Sequence, residues 1–169
     1  MAYKKEARYS ASLLFDPTII RSFFLCDPTK TLQFELEPYY STTTSLSDMF
    51  SITATEGKTV AIDGNEKSYN GKDYVLRVKL GGTGSLEYRN IAITVTGASK
   101  ITVVGMSSSK ENDRNACILD ASGNKVGESQ LFLGASIGGY EYSVTEAGTY
   151  YFVSEDSGIN VYDIIVEAA

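Results

Sequence analysis

Histidine and tryptophan are absent from this chain of 169 residues, proline occurs three times and cysteine twice. The lack of histidine excludes a Ser-His-Asp or Cys-His catalytic arrangement within the chain. Cys26 and Cys117 show no metal-ligand spacing. They leave open one disulfide or two buried thiols, and free thiols are favoured because nothing in the spacing requires a bridge. No apolar run approaches the length of a membrane span, so no membrane insertion is expected. Residues 1–8 are charged, and the apolar stretch beyond them is broken by Asp16, Pro17 and Arg21. No signal peptide is therefore expected. A phosphate-cradling loop is missing too: Gly81 to Ser85 joins two expected strands and is not followed by Lys-Ser/Thr on a helix. A carboxylate pair for glycoside hydrolysis, or a lyase using Arg or Lys as base, stays formally open, because such groups meet only in space. The expectation is a protein that is not an enzyme.

The chain is rich in tyrosine (12) and glycine (15), and in serine and threonine. Short stretches of β-branched and aromatic residues separated by glycine and polar turns are the sequence form of an all-β fold. Leu32, Phe34 and Leu36 alternate with Gln33, Glu35 and Glu37, the period of a half-buried strand. Further strands are expected over 50–55, 59–63, 74–80, 90–96, 100–106, 116–120, 141–144, 149–154 and 159–166. Asp63-Gly64-Asn65, Asn70-Gly71 and Ser122-Gly123-Asn124 are expected to reverse the chain. About ten strands with short connections predict an antiparallel β-sandwich, jelly-roll-like, of two packed sheets. A chain of this length buries ~70% of its unfolded surface, enough for one full core.

Residues 1–31 form a separate N-terminal arm in this reading, ahead of a domain over 32–169. Within the arm, Ile19, Ile20, Phe23 and Phe24 fall at helical spacing between two Asp-Pro-Thr triplets. Asp16 is a candidate N-cap and Pro28 a stop, although residues 23–26 also suit a buried strand. The arm's apolar content predicts that it docks, on the domain's own core or on a protein partner or second copy.

A net charge of −6 argues against nucleic acid as a partner. The charge is uneven. Residues 70–115 carry seven basic and four acidic groups, whereas 116–169 carry one basic and eight acidic. If the basic residues converge they form a local cationic patch on an acidic body, suited to a small anionic ligand; scatter over a wet surface is the alternative.

A set of motifs runs in order through the chain: Lys79-Leu80-Gly81-Gly82-Thr83-Gly84-Ser85 with Tyr88-Arg89, Val103-Val104-Gly105-Met106-Ser107-Ser108-Ser109 with Arg114, Leu119-Asp120-Ala121-Ser122-Gly123-Asn124, Gly148-Thr149-Tyr150-Tyr151, and Gly158-Ile159-Asn160-Val161-Tyr162. Over about residues 32 to 169 this resembles the non-catalytic β-sandwich domain attached to pectate lyases and other plant-cell-wall enzymes of gut and soil bacteria. The resemblance implies a pectin-directed carbohydrate-binding module, extracellular, with an acidic polysaccharide as ligand. No lyase domain accompanies it, and residues 1–31 lie outside it. A second expectation follows from those departures: a structural or decoration protein of a virion or other assembly, anchored through residues 1–31.

Alternation on the strand 74–80 turns Leu76, Val78 and Leu80 inward and Arg77 and Lys79 outward. Arg89 follows the glycine turn, near Lys79, and Arg114 closes a polar loop. Arginine grips a carboxylate with two parallel hydrogen bonds, and Lys79 would act as a point charge. Ser157 and Asn160 are placed on the last turn, where Asn160 either meets sugar hydroxyls or braces its own backbone. Tyr88 and Tyr151 are the candidates for stacking on a sugar ring, while Tyr140, Tyr142, Tyr150 and Tyr162 read as core. No cofactor is expected. Calcium is conceivable only weakly, at Glu111-Asn112-Asp113 or Asp120, neither of which has an established loop spacing.

Overall fold

The computed structural model describes residues 10–14 and 39–169. Its strands are β1 Ser10–Leu14, β2 Thr44–Ser45, β3 Phe50–Thr53, β4 Val60–Tyr69, β5 Lys72–Leu80, β6 Asn90–Val95, β7 Ser99–Ser107, β8 Arg114–Leu119, β9 Lys125–Phe132, β10 Gly138–Val144, β11 Gly148–Ser154 and β12 Ile159–Ala168. They form two antiparallel sheets: a first in the order β10-β7-β12-β5-β4, with β1 also on β12, and a second in the order β2-β3-β6-β11-β8-β9. The expected all-β sandwich is what the chain adopts.

The core lies between the sheets because period-two alternation sends one face of each strand inward. Leu76, Val78 and Leu80 from β5 meet Ile91 and Ile93 from β6, Phe152 from β11 and Ile159, Val161 and Ile164 from β12. Each such side chain, fully buried, stabilises the fold by about 1.5–3 kcal/mol relative to exposure. Tyr142 and Tyr150 belong to this core, and Tyr140 packs against it through a stacked contact with Phe132, ring centroids 3.8 Å apart.

β12 decides the shape of the first sheet. It pairs with β7 along its length, but with β5 only over Ile159–Val161. A bulge between Val161 and Asp163 then interrupts its register. An extra residue in one strand flips the side-chain alternation by one. Tyr162, next to the inward Val161, lies with Tyr74, Val104 and Met106 in a second, smaller cluster, and past the bulge it is Ile164 and not Asp163 that returns to the main core. Tyr162 is fully buried there, so it packs as a core residue as expected, in the smaller of the two clusters. Past the bulge β5 parts from β12, and β1 takes the vacated edge, from Leu14 opposite Asp163 to Ser10 opposite Glu167. A piece of the expected arm thus completes the sheet.

Beyond β12 the hairpin of β4 and β5 continues to a tight turn at Asn70 and Gly71, with φ of 49° and 76°. Two successive positive φ values make the mirror-image turn that matches strand twist. Asp63-Gly64-Asn65 is not a turn: it lies within β4, where a register shift between Gly64 and Lys67 bends the strand. Gly64 offers a bulge as readily as a reversal, and the pairing across to β5 selects the bulge. The Ser122-Gly123-Asn124 turn forms as expected, with Gly123 at φ 83°. Two strands went unforeseen besides β1. β9 lacks alternation and carries Gly127, and β2 has only two residues. The candidate helix between Asp16 and Pro28, the strand through Leu32, Phe34 and Leu36, and Cys26 lie outside the described residues.

Candidate functional site

The outer face of the first sheet, along β4 and β5, collects the basic residues. Asp63 stands opposite Arg77, and Ala61 opposite Lys79. Arg77 grips Asp63 with both ends of its fork, Nε to Oδ1 at 2.6 Å and Nη2 to Oδ2 at 3.2 Å. That hydrogen bonding raises the Arg77 pKa against the opposing effect of burial. Its partner is Asp63 and not Asp73, whose Oδ1 accepts from the Ser68 hydroxyl instead. Arg77 is therefore a bracing residue of the hairpin. Lys79 points outward as expected and is exposed.

Arg89 reaches the same strip by an unusual backbone route. Its φ is 50°, a left-handed conformation that few residues other than glycine and asparagine adopt. The turn throws its side chain back over the loop it has just left. Nε donates to the carbonyl of Thr59 at 3.3 Å, and Nη2 lies 4.0 Å from where a Cβ on Gly81 would stand. A Cβ on Gly82 would come within 2.6 Å of Nη1, so this glycine makes room for the guanidinium. Arg89 thus ends beside Thr59 and Gly81, two residues along from Lys79. Lys58, which the sequence did not single out, sits 5.5 Å above the ring of the half-buried Tyr88. Tyr88 therefore already carries a cation on one face.

The other candidates go elsewhere. Asn160 is not on the last turn but inside β12, opposite Lys79 on one side and Met106 on the other. It is 3% exposed, and its side-chain oxygen has no hydrogen-bond partner among the described residues. Pairing with β5 and β7 on either side sets its position. Ser157 is half-buried in the loop that crosses between the sheets, and its carbonyl accepts from the Ser154 hydroxyl. Arg114 opens β8 in the same alternation as core residues Ala116 and Ile118. Its Nε is buried, and Nη1 donates to the Asp113 carbonyl at 3.3 Å, so it plugs the end of the sandwich. Tyr151 lies between Tyr150 and Phe152, both core residues, and so faces outward from the second sheet, away from the basic strip. The strip joins Lys79, Arg89, Arg77 and Asn160, and leaves out Arg114, Tyr151 and Ser157.

A groove lies beside the strip, between the tip of the β4–β5 hairpin and the outer face of β7, β10 and β12. Its volume is about 370 Å³, and Tyr69, Asn70, Lys72, Tyr74, Thr102 and Glu141 contribute to its lining. Lys72 Nζ lies 2.7 Å from Asp163, which is fully buried, and 5.3 Å from the centroid of the Tyr74 ring. Burial, then the charge of Asp163, pushes the Tyr74 hydroxyl up to about 12. The Tyr162 hydroxyl donates to Asn65 Oδ1 at 2.6 Å and ties the bent part of β4 to the sheet. Alternation could not reveal this group, because two bulges, in β4 and β12, set its geometry.

Among the described residues no group of three or more His, Cys, Asp or Glu is placed to hold a metal. Asp120 Oδ1 accepts from the amides of Ser122 at 2.8 Å and Asn124 at 2.9 Å, which makes it a brace for its turn. Asp113 Oδ1 accepts from the Gly134 amide at 2.8 Å. Cys117 is free and buried.

No family model matches this chain, and no curated protein matches it. Among solved structures, the chain is similar to a family 35 carbohydrate-binding module from Paenibacillus barcinonensis, at 19% identity and a TM-score of 0.42 over 76% of this chain and all of that one. It is also similar to the family 22 xylan-binding domain of a Paenibacillus barcinonensis protein, at 13% identity and a TM-score of 0.47 over 77% of this chain and 90% of that one. A family 35 module from Clostridium thermocellum matches at 19% identity and a TM-score of 0.41, over 65% and 92% of the two chains.

Proposed function

We propose that this protein binds polysaccharide without cleaving it, and that acidic sugar units are held on the outer face of β4 and β5. One observation carries the reading: Lys79 is exposed and the Arg89 guanidinium is bent back beside Gly81, two residues further along the chain, and neither has a carboxylate within ion-pair distance among the described residues. A free carboxylate on a sugar would give both cations a partner, bidentate at Arg89 and point-like at Lys79. Arg77, committed to Asp63, contributes shape and no free charge. The absence of histidine and the ordered motif resemblance to pectin-directed modules fit holding rather than cutting. A pectin-type ligand would put the working protein outside the cell.

The test is calorimetric binding to polygalacturonate at low and moderate salt, with a panel of neutral glycans alongside. Binding that weakens with salt and is lost in Lys79→Ala supports the reading, because exposed charges are screened within about 10 Å at 0.1 M salt. No binding to any member of the panel sinks it. Attention then moves to residues 1–31 as an assembly arm.

A further inference from the structure

The groove under the hairpin tip continues the basic strip along β5. From Gly81, where the Arg89 guanidinium lies, to Tyr74 at the groove is seven steps along the chain, about 23 Å of extended strand. That length suits several sugar units in a row. The chemistry changes along it. At the Gly81 end stand two cations without a carboxylate partner among the described residues. The charged residues that line the groove at the Tyr74 end are Glu141, which is exposed, and Lys72, which is already paired with the buried Asp163; Lys67, opposite Tyr74 on β4, does not line it. Glu141 is itself held by Lys100 at 3.2 Å, but Lys100 does not line the groove.

We propose that this groove is a second subsite that takes a neutral sugar ring, so that the ligand is a polyuronate whose acidic units are interrupted by neutral or esterified ones. The inference rests on the polysaccharide-binding reading above. A ring bearing a free carboxylate would face Glu141 with no uncommitted cation among the residues that line the groove, and like charges repel on the same scale as exposed ion pairs attract. A neutral ring meets no such cost. Its apolar face can lie on the half-buried Tyr69, and the Asn70 amide and the Thr102 hydroxyl can both donate to and accept from its hydroxyls. Gly139 belongs to this arrangement: a Cβ there would stand 2.9 Å from the Tyr69 hydroxyl and displace the ring.

The experiment compares two oligogalacturonides of equal length, one unesterified and one about half methyl-esterified, by calorimetry against the full chain and its Tyr69→Ala, Glu141→Gln and Lys79→Ala variants. The partly esterified oligomer is expected to bind about threefold tighter, the scale of one partly exposed charge. Tyr69→Ala should remove that preference, and Glu141→Gln should tighten the unesterified oligomer by a similar factor. Glu141 is exposed, so the second variant keeps the test valid if the first fails to fold. Equal or tighter binding of the unesterified oligomer to the wild type overturns the subsite, as does a preference that survives both variants. If Lys79→Ala still abolishes binding in that case, the basic strip stands and only the groove is lost. If neither oligomer binds the wild type, the polysaccharide reading fails and takes the subsite with it.

Discussion

Lys72 and Asp163 are 91 residues apart in sequence and 2.7 Å apart in space, and their pairing ties the tip of the β4–β5 hairpin to the middle of β12. Asp163 is fully buried, whereas the Lys72 side chain is 37% exposed. A buried carboxylate stripped of its cation is strongly destabilising, and partial exposure of the lysine lowers that cost. Lys72→Met should therefore lower stability by about 1–3 kcal/mol in urea unfolding. Asp163→Asn, which removes the buried charge itself, should cost less. A loss below ~0.5 kcal/mol for Lys72→Met would mean that water screens the pair and that something else holds the hairpin.

Asn160 offers the opposite case. Its side-chain oxygen is buried without a hydrogen-bond partner among the described residues, so an apolar side chain of similar size should cost nothing there. Asn160→Leu is expected to unfold at or above the wild-type temperature, since an unsatisfied buried acceptor costs about 1–3 kcal/mol. A clear fall in the thermal midpoint would show that the amide makes a bond the fold depends on.

High pH should weaken the fold through two groups held neutral. Burial, then the charge of Glu155, pushes the Cys117 thiol up from 9.0 to about 11. Burial and Asp163 push Tyr74 from 10.0 to about 12. In both cases the folded chain keeps a proton that the unfolded chain has released, so stability is full below pH 9 and falls as pH rises, from 9 to about 11 through Cys117 and from 10 to about 12 through Tyr74. Urea midpoints measured across that range should decline, and Cys117→Ala should remove the earlier part of the decline. A flat profile in the wild type would contradict the burial of both groups.

Much of the fold was written in local pattern. Leu76, Val78 and Leu80 against Arg77 and Lys79 declared both a strand and its two faces, because side chains in a strand alternate with a period of two whatever the partner strand is. Asn70-Gly71 declared its reversal, because the positive φ values required are cheap there. These features depend on neighbours in sequence alone. The same holds for the absence of histidine and for the outward direction of Lys79.

What the sequence left open is everything that depends on register between distant strands. Nothing local distinguishes Asp63-Gly64-Asn65 as a bulge from a turn; pairing with β5 makes that choice. Nothing local says that β12 gains an extra residue at Tyr162, yet that insertion turns Ile164 in place of Asp163 into the main core and leaves Asp163 buried beneath Lys72. It also ends the contact with β5, and β1 occupies the freed edge. Arg89 joins Lys79 only because its left-handed backbone carries the guanidinium back over Gly81 and Gly82, while Arg114, of the same residue type, turns into the end of the core. Residue chemistry and alternation were settled by the sequence; the tertiary structure alone decided which charges remain free, since each charge finds or misses its partner through contacts between residues far apart in the chain.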